Sequence, residues 1–200
     1  MILSGQDIKK YNLLLDAEES NMQAQGWDVR LEKVYRCVNK PWGQKIKEED
    51  YVEPYKIIYA NGHFPFVPAQ IYDEEDNMLH YYIPSNSSVL FKLMETVDLT
   101  RKSEEHFKTG YGYFNALVLP KSSLSRRGIS VHSAWWDVGY KGSGVVLVRT
   151  SEVPLQIKPG DSFGQMIFFE GTPTDSVYNG QYQGEGIPRI PAEGLNSIKV

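Results

Sequence analysis

Only one cysteine, Cys37, occurs in the 200 residues. A lone thiol excludes an intrachain disulfide framework and any cysteine-rich zinc site. It fits a reducing cytoplasmic setting, with Cys37 expected as a buried spectator. Long hydrophobic runs are also missing. No stretch reaches the roughly 18 apolar residues of a membrane span, and the opening MILSGQDIKKY is too polar for a secretory leader, so a soluble, unprocessed chain is expected. Basic charge is not in excess: 21 Lys and Arg face 25 Asp and Glu, a net −4. No global positive field exists to hold a nucleic-acid backbone, and an anionic ligand must meet a local basic cluster. Histidine is sparse, and His63, His80 and His106 show no metal-ligand spacing. His132 could serve as a general base, but a single histidine in an alternating strand reads as structural.

The chain is 41% hydrophobic, and a domain of this length hides roughly 70% of its unfolded surface, so one domain over 1–200 is expected. Ser4 with Asp7 three residues on forms a capping-box-like start to a helix over Ser4–Tyr11, within an N-terminal helix-and-linker segment (1–20) that reads as a lid. Trp27–Arg36 alternates apolar and polar residues, the pattern of a half-buried strand. Residues 39–54 hold two prolines, a glycine and a charge run, which predicts a surface excursion. From Tyr55 on, short β-branched and aromatic runs recur: YKIIYA, FVPAQIY, MLHYYI, SVLFKLMETVDL, FNALVL, ISVHSAWW, GVVLVRT, PLQIK and QMIFFE. Gly, Pro, Asn or Asp break most of the gaps, and no long helical pattern intervenes. An all-β sandwich, barrel or jelly roll is therefore expected. Lys121–Arg127, between Pro120 and Gly128, predicts one short helix. The Gly- and Pro-rich stretch 177–200 predicts a mobile tail.

Three segments could carry chemistry. In Pro120–Gly128 (PKSSLSRRG), a helix start with the hydroxyls of Ser122 and Ser123 precedes Arg126 and Arg127. Unpaired amides, hydroxyls and guanidinium forks suit phosphate, although a capped surface helix has the same pattern. In Ala134–Gly142 (AWWDVGYKG), Asp137 follows two tryptophans and precedes a glycine-bounded turn. A carboxylate fixed there could orient and deprotonate water, and Tyr140 could lie against a sugar; alternatively, Asp137 caps a hairpin whose aromatics fill the core. In Lys158–Phe169 (KPGDSFGQMIFF), Gln165 stands among apolar neighbours and needs a partner, whether backbone or ligand.

In order and spacing, PKSSLSRRG, AWWDVGYKG and PGDSFGQMIF resemble the second, third and fourth motifs of the trimeric dUTPase and dCTP deaminase superfamily. Gln25–Leu31 (QGWDVRL) is similar to its first motif. MILSGQDIKK and Tyr178–Gly184 (YNGQYQG) resemble the ends of the deaminase-like branch. The resemblance implies a distorted jelly-roll subunit, a homotrimer with active sites between subunits, and Mg²⁺ held chiefly by the nucleotide triphosphate. It implies phosphate contacts from Ser122, Ser123, Arg126 and Gln165, and metal support through water from Asp28. It further implies water activation by Asp137 and deoxyribose packing by Tyr140, with Tyr178, Tyr182 and Gln183 supplied by the closing tail. Lys121 stands where most dUTPases carry an arginine. Deamination in this family resembles acid–base chemistry by a glutamate five residues past the glycine ending the third motif. Counted from Gly142, that position is Leu147, which cannot shuttle a proton. The expected function is therefore hydrolysis of dUTP to dUMP and pyrophosphate, with dCTP deamination, or both activities, as the alternative. A non-catalytic trimer that binds a nucleotide or a protein is the reading from another class.

Overall fold

The computed structural model describes residues 1–37, 69–73, 78–103, 112–180 and 182–184. The expected excursion over 39–54, the run YKIIYA, His63, His106 and the tail beyond 184 lie outside the described residues. In chain order the elements begin with helix α1 (Gly5–Lys10) and strands β1 (Leu14–Leu15), β2 (Met22–Gln23) and β3 (Gly26–Arg36). Next come β4 (Ala69–Asp73), β5 (Met78–Ile83), β6 (Ser88–Leu93), β7 (Thr96–Asp98) and β8 (Lys102–Ser103). The rest are β9 (Gly112–Pro120), helix α2 (Ser122–Ser125), β10 (Ser130–His132), β11 (Lys141–Gly142), β12 (Val145–Arg149), β13 (Leu155–Ile157) and β14 (Ser162–Gly171).

The expected all-β architecture with short helices is what forms. The largest sheet runs β10-β12-β6-β3-β14-β9-β8, with β2 also on β3, and two small sheets run β1-β7-β11 and β13-β5-β4. Strand pairs are antiparallel, as β12 on β6 and β14 on both β3 and β9 illustrate. Short strands with tight breaks allow this, because an antiparallel neighbour needs no long crossover. The core between the layers is built on Phe91, Phe114, Phe163 and Phe168, all fully buried.

Two sequence expectations change here. Strand β3 is central rather than half-buried: Trp27, Asp28, Val29, Arg30 and Leu31 are all buried. The alternation is real, but its polar members are enclosed with partners instead of facing water. Cys37 is exposed and not a buried spectator, because it lies one residue past the end of β3. Helix α1 starts as predicted, with the Ser4–Asp7 capping box formed. Its Ile8 is buried in the main core cluster, so the helix is docked onto the body of the fold. Residues 1–3 join β14 beyond Met166, where β3 leaves it: the Leu3 amide donates to the Phe168 carbonyl at 3.0 Å.

Candidate active site

The hairpin that carries Asp137 is held from two sides. Trp136 exchanges both backbone hydrogen bonds with Ala116 of β9, at 2.9 and 3.0 Å. On the other side Leu99 donates to the Tyr140 carbonyl at 2.8 Å and accepts from the Gly139 amide at 2.9 Å. Between these anchors the Tyr140 amide donates to the Asp137 carbonyl at 3.1 Å, closing a tight turn in which Gly139 has φ +85°. A side chain is disfavoured at that φ, which is why the sequence places glycine two residues after Asp137. The Asp137 side chain is exposed.

Asp137 sits at the edge of a cavity of about 470 Å³ lined by Leu90, Trp135, Trp136, Tyr140, Val145, Tyr178 and Tyr182 among others. Tyr140 is buried and meets Trp136 and Tyr178 edge-on, with centroids 5.2 and 5.7 Å apart. Burial, and the neighbouring Tyr178, hold its hydroxyl far above the ordinary tyrosine range. A neutral ring packed this way is a rigid wall of the cavity rather than a proton carrier. Leu90 pairs with Leu147 across β6 and β12. Leu147 shares the β12 face with Val145, so apolar side chains carry that wall on past Val145.

The tail residues implied for this site are beside it. Tyr178 donates its amide to the Val138 carbonyl at 2.7 Å. The Gln183 side chain accepts from the Lys141 amide at 3.2 Å and donates to the Gly139 carbonyl at 2.8 Å. Gly184 donates to the Lys141 carbonyl at 3.0 Å. Tyr178, Gln183 and Gly184 therefore line the hairpin of the same chain, and Gln183 borders a second cavity of about 610 Å³ with Lys92, Lys141 and Asp16.

The residues implied for phosphate form a separate group. Lys121 caps the start of α2, and Ser122, Ser123 and Arg126 follow it, all three exposed. The Lys121 ammonium lies 2.9 Å from Asp28 Oδ2 and donates to Ser162 Oγ at 2.8 Å. Gln165 stands opposite Asp28 on β3 and Leu119 on β9. Its amide donates to the Gln25 carbonyl at 3.2 Å, so the partner it needs is backbone. None of Ser122, Ser123, Arg126 or Gln165 lines the Asp137 cavity. The chain thus holds the two groups of candidate residues apart.

Several supporting residues were missed from sequence. Asp98, 1% exposed, is paired with Lys141 at 3.0 Å and with Arg101 at 3.3 Å, and accepts from the Thr100 hydroxyl. Burial raises its pKa, but the hydrogen bonds from Thr100 and Lys141 outweigh that and hold the carboxyl below its usual range. Glu95, fully buried, accepts from the Arg30 side chain at 2.7 Å and the Arg30 amide at 2.9 Å. There burial dominates and holds the carboxyl above its usual range despite the guanidinium. Arg30 also reaches Glu18 and the Asp16 carbonyl, tying the N-terminal segment to β3. The signal was present in SVLFKLMETVDL, where two acids inside an apolar run imply enclosed partners. His132 is exposed and bonds only Ser130 among the described residues, at 3.1 Å.

The sequence profile of dCTP deaminase-like proteins matches residues 2–171. This chain belongs to the dCTP deaminase-like family. A dCTP deaminase from Pyrococcus horikoshii is 38% identical over 150 residues, 70% of this chain and 88% of that protein. A probable deoxyuridine 5′-triphosphate nucleotidohydrolase from Aeropyrum pernix is 39% identical over 71 residues, 34% of this chain and 44% of that protein. The fold is shared with the crystal structure of 2′-deoxycytidine 5′-triphosphate deaminase from Agrobacterium tumefaciens, at TM-score 0.58 and 16% identity over 85% of this chain and 48% of that one. The chain thus spans less than half the length of the Aeropyrum and Agrobacterium proteins. Family members are enzymes under both names, deaminase and nucleotidohydrolase. No helix among the described residues is long and apolar enough to cross a membrane.

Proposed function

We propose that this dCTP deaminase-like chain is a dUTP diphosphohydrolase: water attacks the α-phosphorus of dUTP, pyrophosphate leaves and dUMP remains. The observation that carries the reading is the make-up of the Asp137 cavity. A carboxylate without a hydrogen bond or ion pair among the described residues stands at its edge, and Leu147, paired with the cavity residue Leu90, stands at the sequence position where deamination in the resembling family requires an acid. Asp137 can accept a proton from water held against the rigid turn. Tyr140 packs on the deoxyribose, Tyr178 and Tyr182 close over it from the tail, and Gln183 pins the tail to the hairpin through Gly139 and Lys141.

Ser122, Ser123, Arg126 and Gln165 offset the charge of the triphosphate and leaving group, which is the larger contribution in phosphoryl transfer. Because these residues and the Asp137 cavity form separate half-sites in one subunit, the complete site is assembled between subunits of a homotrimer. Exposed Ile2, Leu119 and Trp135 support such contacts, since large apolar side chains on a surface favour association. Among the described residues no three His, Cys, Asp or Glu side chains converge to hold a metal. Asp28 is already committed to Lys121. In this reading magnesium arrives with the substrate, as the magnesium complex of dUTP.

Deamination of dCTP is the second reading, favoured by the name of the Pyrococcus relative that matches over most of its length. A pyrophosphate-release assay on dUTP, dCTP, dTTP and UTP, run with ammonia detection, separates the readings. Pyrophosphate from dUTP alone supports hydrolysis, ammonia from dCTP contradicts it, and no product from any nucleotide leaves a non-catalytic binder.

A further inference from the structure

We propose that Ser162 and Asp28 are positioning residues that aim the Lys121 ammonium at the phosphates of the bound nucleotide; this rests on the reading that phosphates bind beside α2. Three strands converge on one nitrogen. Lys121 lies just past the end of β9, Asp28 is in β3, and Ser162 opens β14. The Lys121 amide is fixed by the Phe163 carbonyl at 3.1 Å, so its backbone is held where the helix begins. Its side chain is then gripped at the far end by Asp28 Oδ2 at 2.9 Å and Ser162 Oγ at 2.8 Å.

A lysine side chain is a flexible stem that otherwise samples many rotamers, unlike the preorganised fork of arginine. An ammonium has three donors, and two are taken by these contacts, leaving one for a ligand. Asp28 is buried, and a buried carboxylate is stabilised by a paired cation. Its carboxylate therefore serves Lys121 rather than a metal's water. Ser162 sets the direction, because its hydroxyl holds the nitrogen from a second strand.

The test is a double-mutant cycle read by calorimetry on the full chain. The probes are inorganic tripolyphosphate and a dUTP analogue with nitrogen bridging the α- and β-phosphorus, with deoxyuridine as the phosphate-free control. Ser162→Ala should weaken both phosphate probes about three- to tenfold and leave deoxyuridine within twofold. In a Lys121→Ala background the same substitution should have no further effect, and Ser162→Thr should keep near-normal affinity. Lys121→Gln, which keeps a donor for Asp28, replaces Lys121→Ala if that variant does not fold. Asp28→Asn should weaken the phosphate probes equally with magnesium or with a chelator present.

Additive losses from Ser162 and Lys121, or an Asp28→Asn loss seen only with magnesium, would overturn the proposal. So would failure of the wild-type chain to bind either phosphate probe. Coupling on tripolyphosphate in a chain that releases no pyrophosphate from dUTP would uphold the positioning role and refute the hydrolase reading. Pyrophosphate release with additive losses would do the reverse.

Discussion

Gly142 and Gly184 meet backbone to backbone: a Cβ built on Gly142 would lie 1.6 Å from the Gly184 carbonyl oxygen. The contact joins the Asp137 hairpin to the tail, and no side chain other than hydrogen fits between them. Gly142→Ala should therefore push residues 182–184 off the hairpin. Amide exchange at Lys141, whose carbonyl and amide both face the tail, should speed up. The KM for dUTP should rise several-fold while the fold persists. An unchanged exchange rate at Lys141 would show that the tail is not held there.

Gly144 makes a second close approach, under Trp136. Its Cβ would sit 1.8 Å from the indole Cη2, inside the lining of the Asp137 cavity. Overpacking of this kind costs roughly 1–3 kcal/mol. Gly144→Ala should lower stability by about that much and change Trp136 fluorescence, whereas alanine at exposed Gly160, which has nothing within 4 Å to clash with, should leave Trp136 undisturbed.

Asp98 ties the hairpin to β7 through Lys141, and its pKa predicts a pH signature. A carboxyl held below its unfolded value, near 3.8, contributes stability that is present above that pH and lost as pH falls through the folded value. Asp98→Asn should destabilise the chain by about 2 kcal/mol at pH 7, the scale of hydrogen bonds to a charged group. The difference should shrink toward zero at a pH low enough to protonate Asp98 in the folded state. Urea unfolding of both proteins across this range checks it, and a loss independent of pH would contradict it.

Glu95 and Arg30 are buried together, and removing one partner leaves an uncompensated charge, which costs about 3–5 kcal/mol. Glu95→Ala should be among the most damaging single changes in the chain. A thermal midpoint within a degree or two of wild type would show that Arg30 is satisfied by Glu18 and the Asp16 carbonyl alone.

The fold was legible because period-2 runs and Gly or Pro breaks are local signals: the VVLVR of GVVLVRT forms β12 and QMIFFE falls inside β14, each with the alternating burial it implies. The Ser4–Asp7 cap was legible for the same reason. Partnership was not local. That Asp28 would be enclosed by Lys121, 93 residues on, follows from β3 and β9 flanking β14, a fact about topology. Likewise Cys37 reads as core by residue type, yet it is exposed because β3 ends one residue earlier. The site motifs carried the candidate residues. Their separation into two groups could not be read from order along the chain, since PKSSLSRRG and AWWDVGYKG lie only a few residues apart.

The central claim, that Asp137 activates water at the α-phosphorus of dUTP, is tested most directly by comparing pyrophosphate release from dUTP by the wild-type chain and Asp137→Asn, with ammonia followed in a parallel dCTP reaction. The account predicts release by the wild type, a loss of about 10²-fold or more in the variant with nucleotide affinity nearly unchanged, and no ammonia from either. A variant that keeps its full rate, or ammonia from dCTP with the wild type, would contradict it.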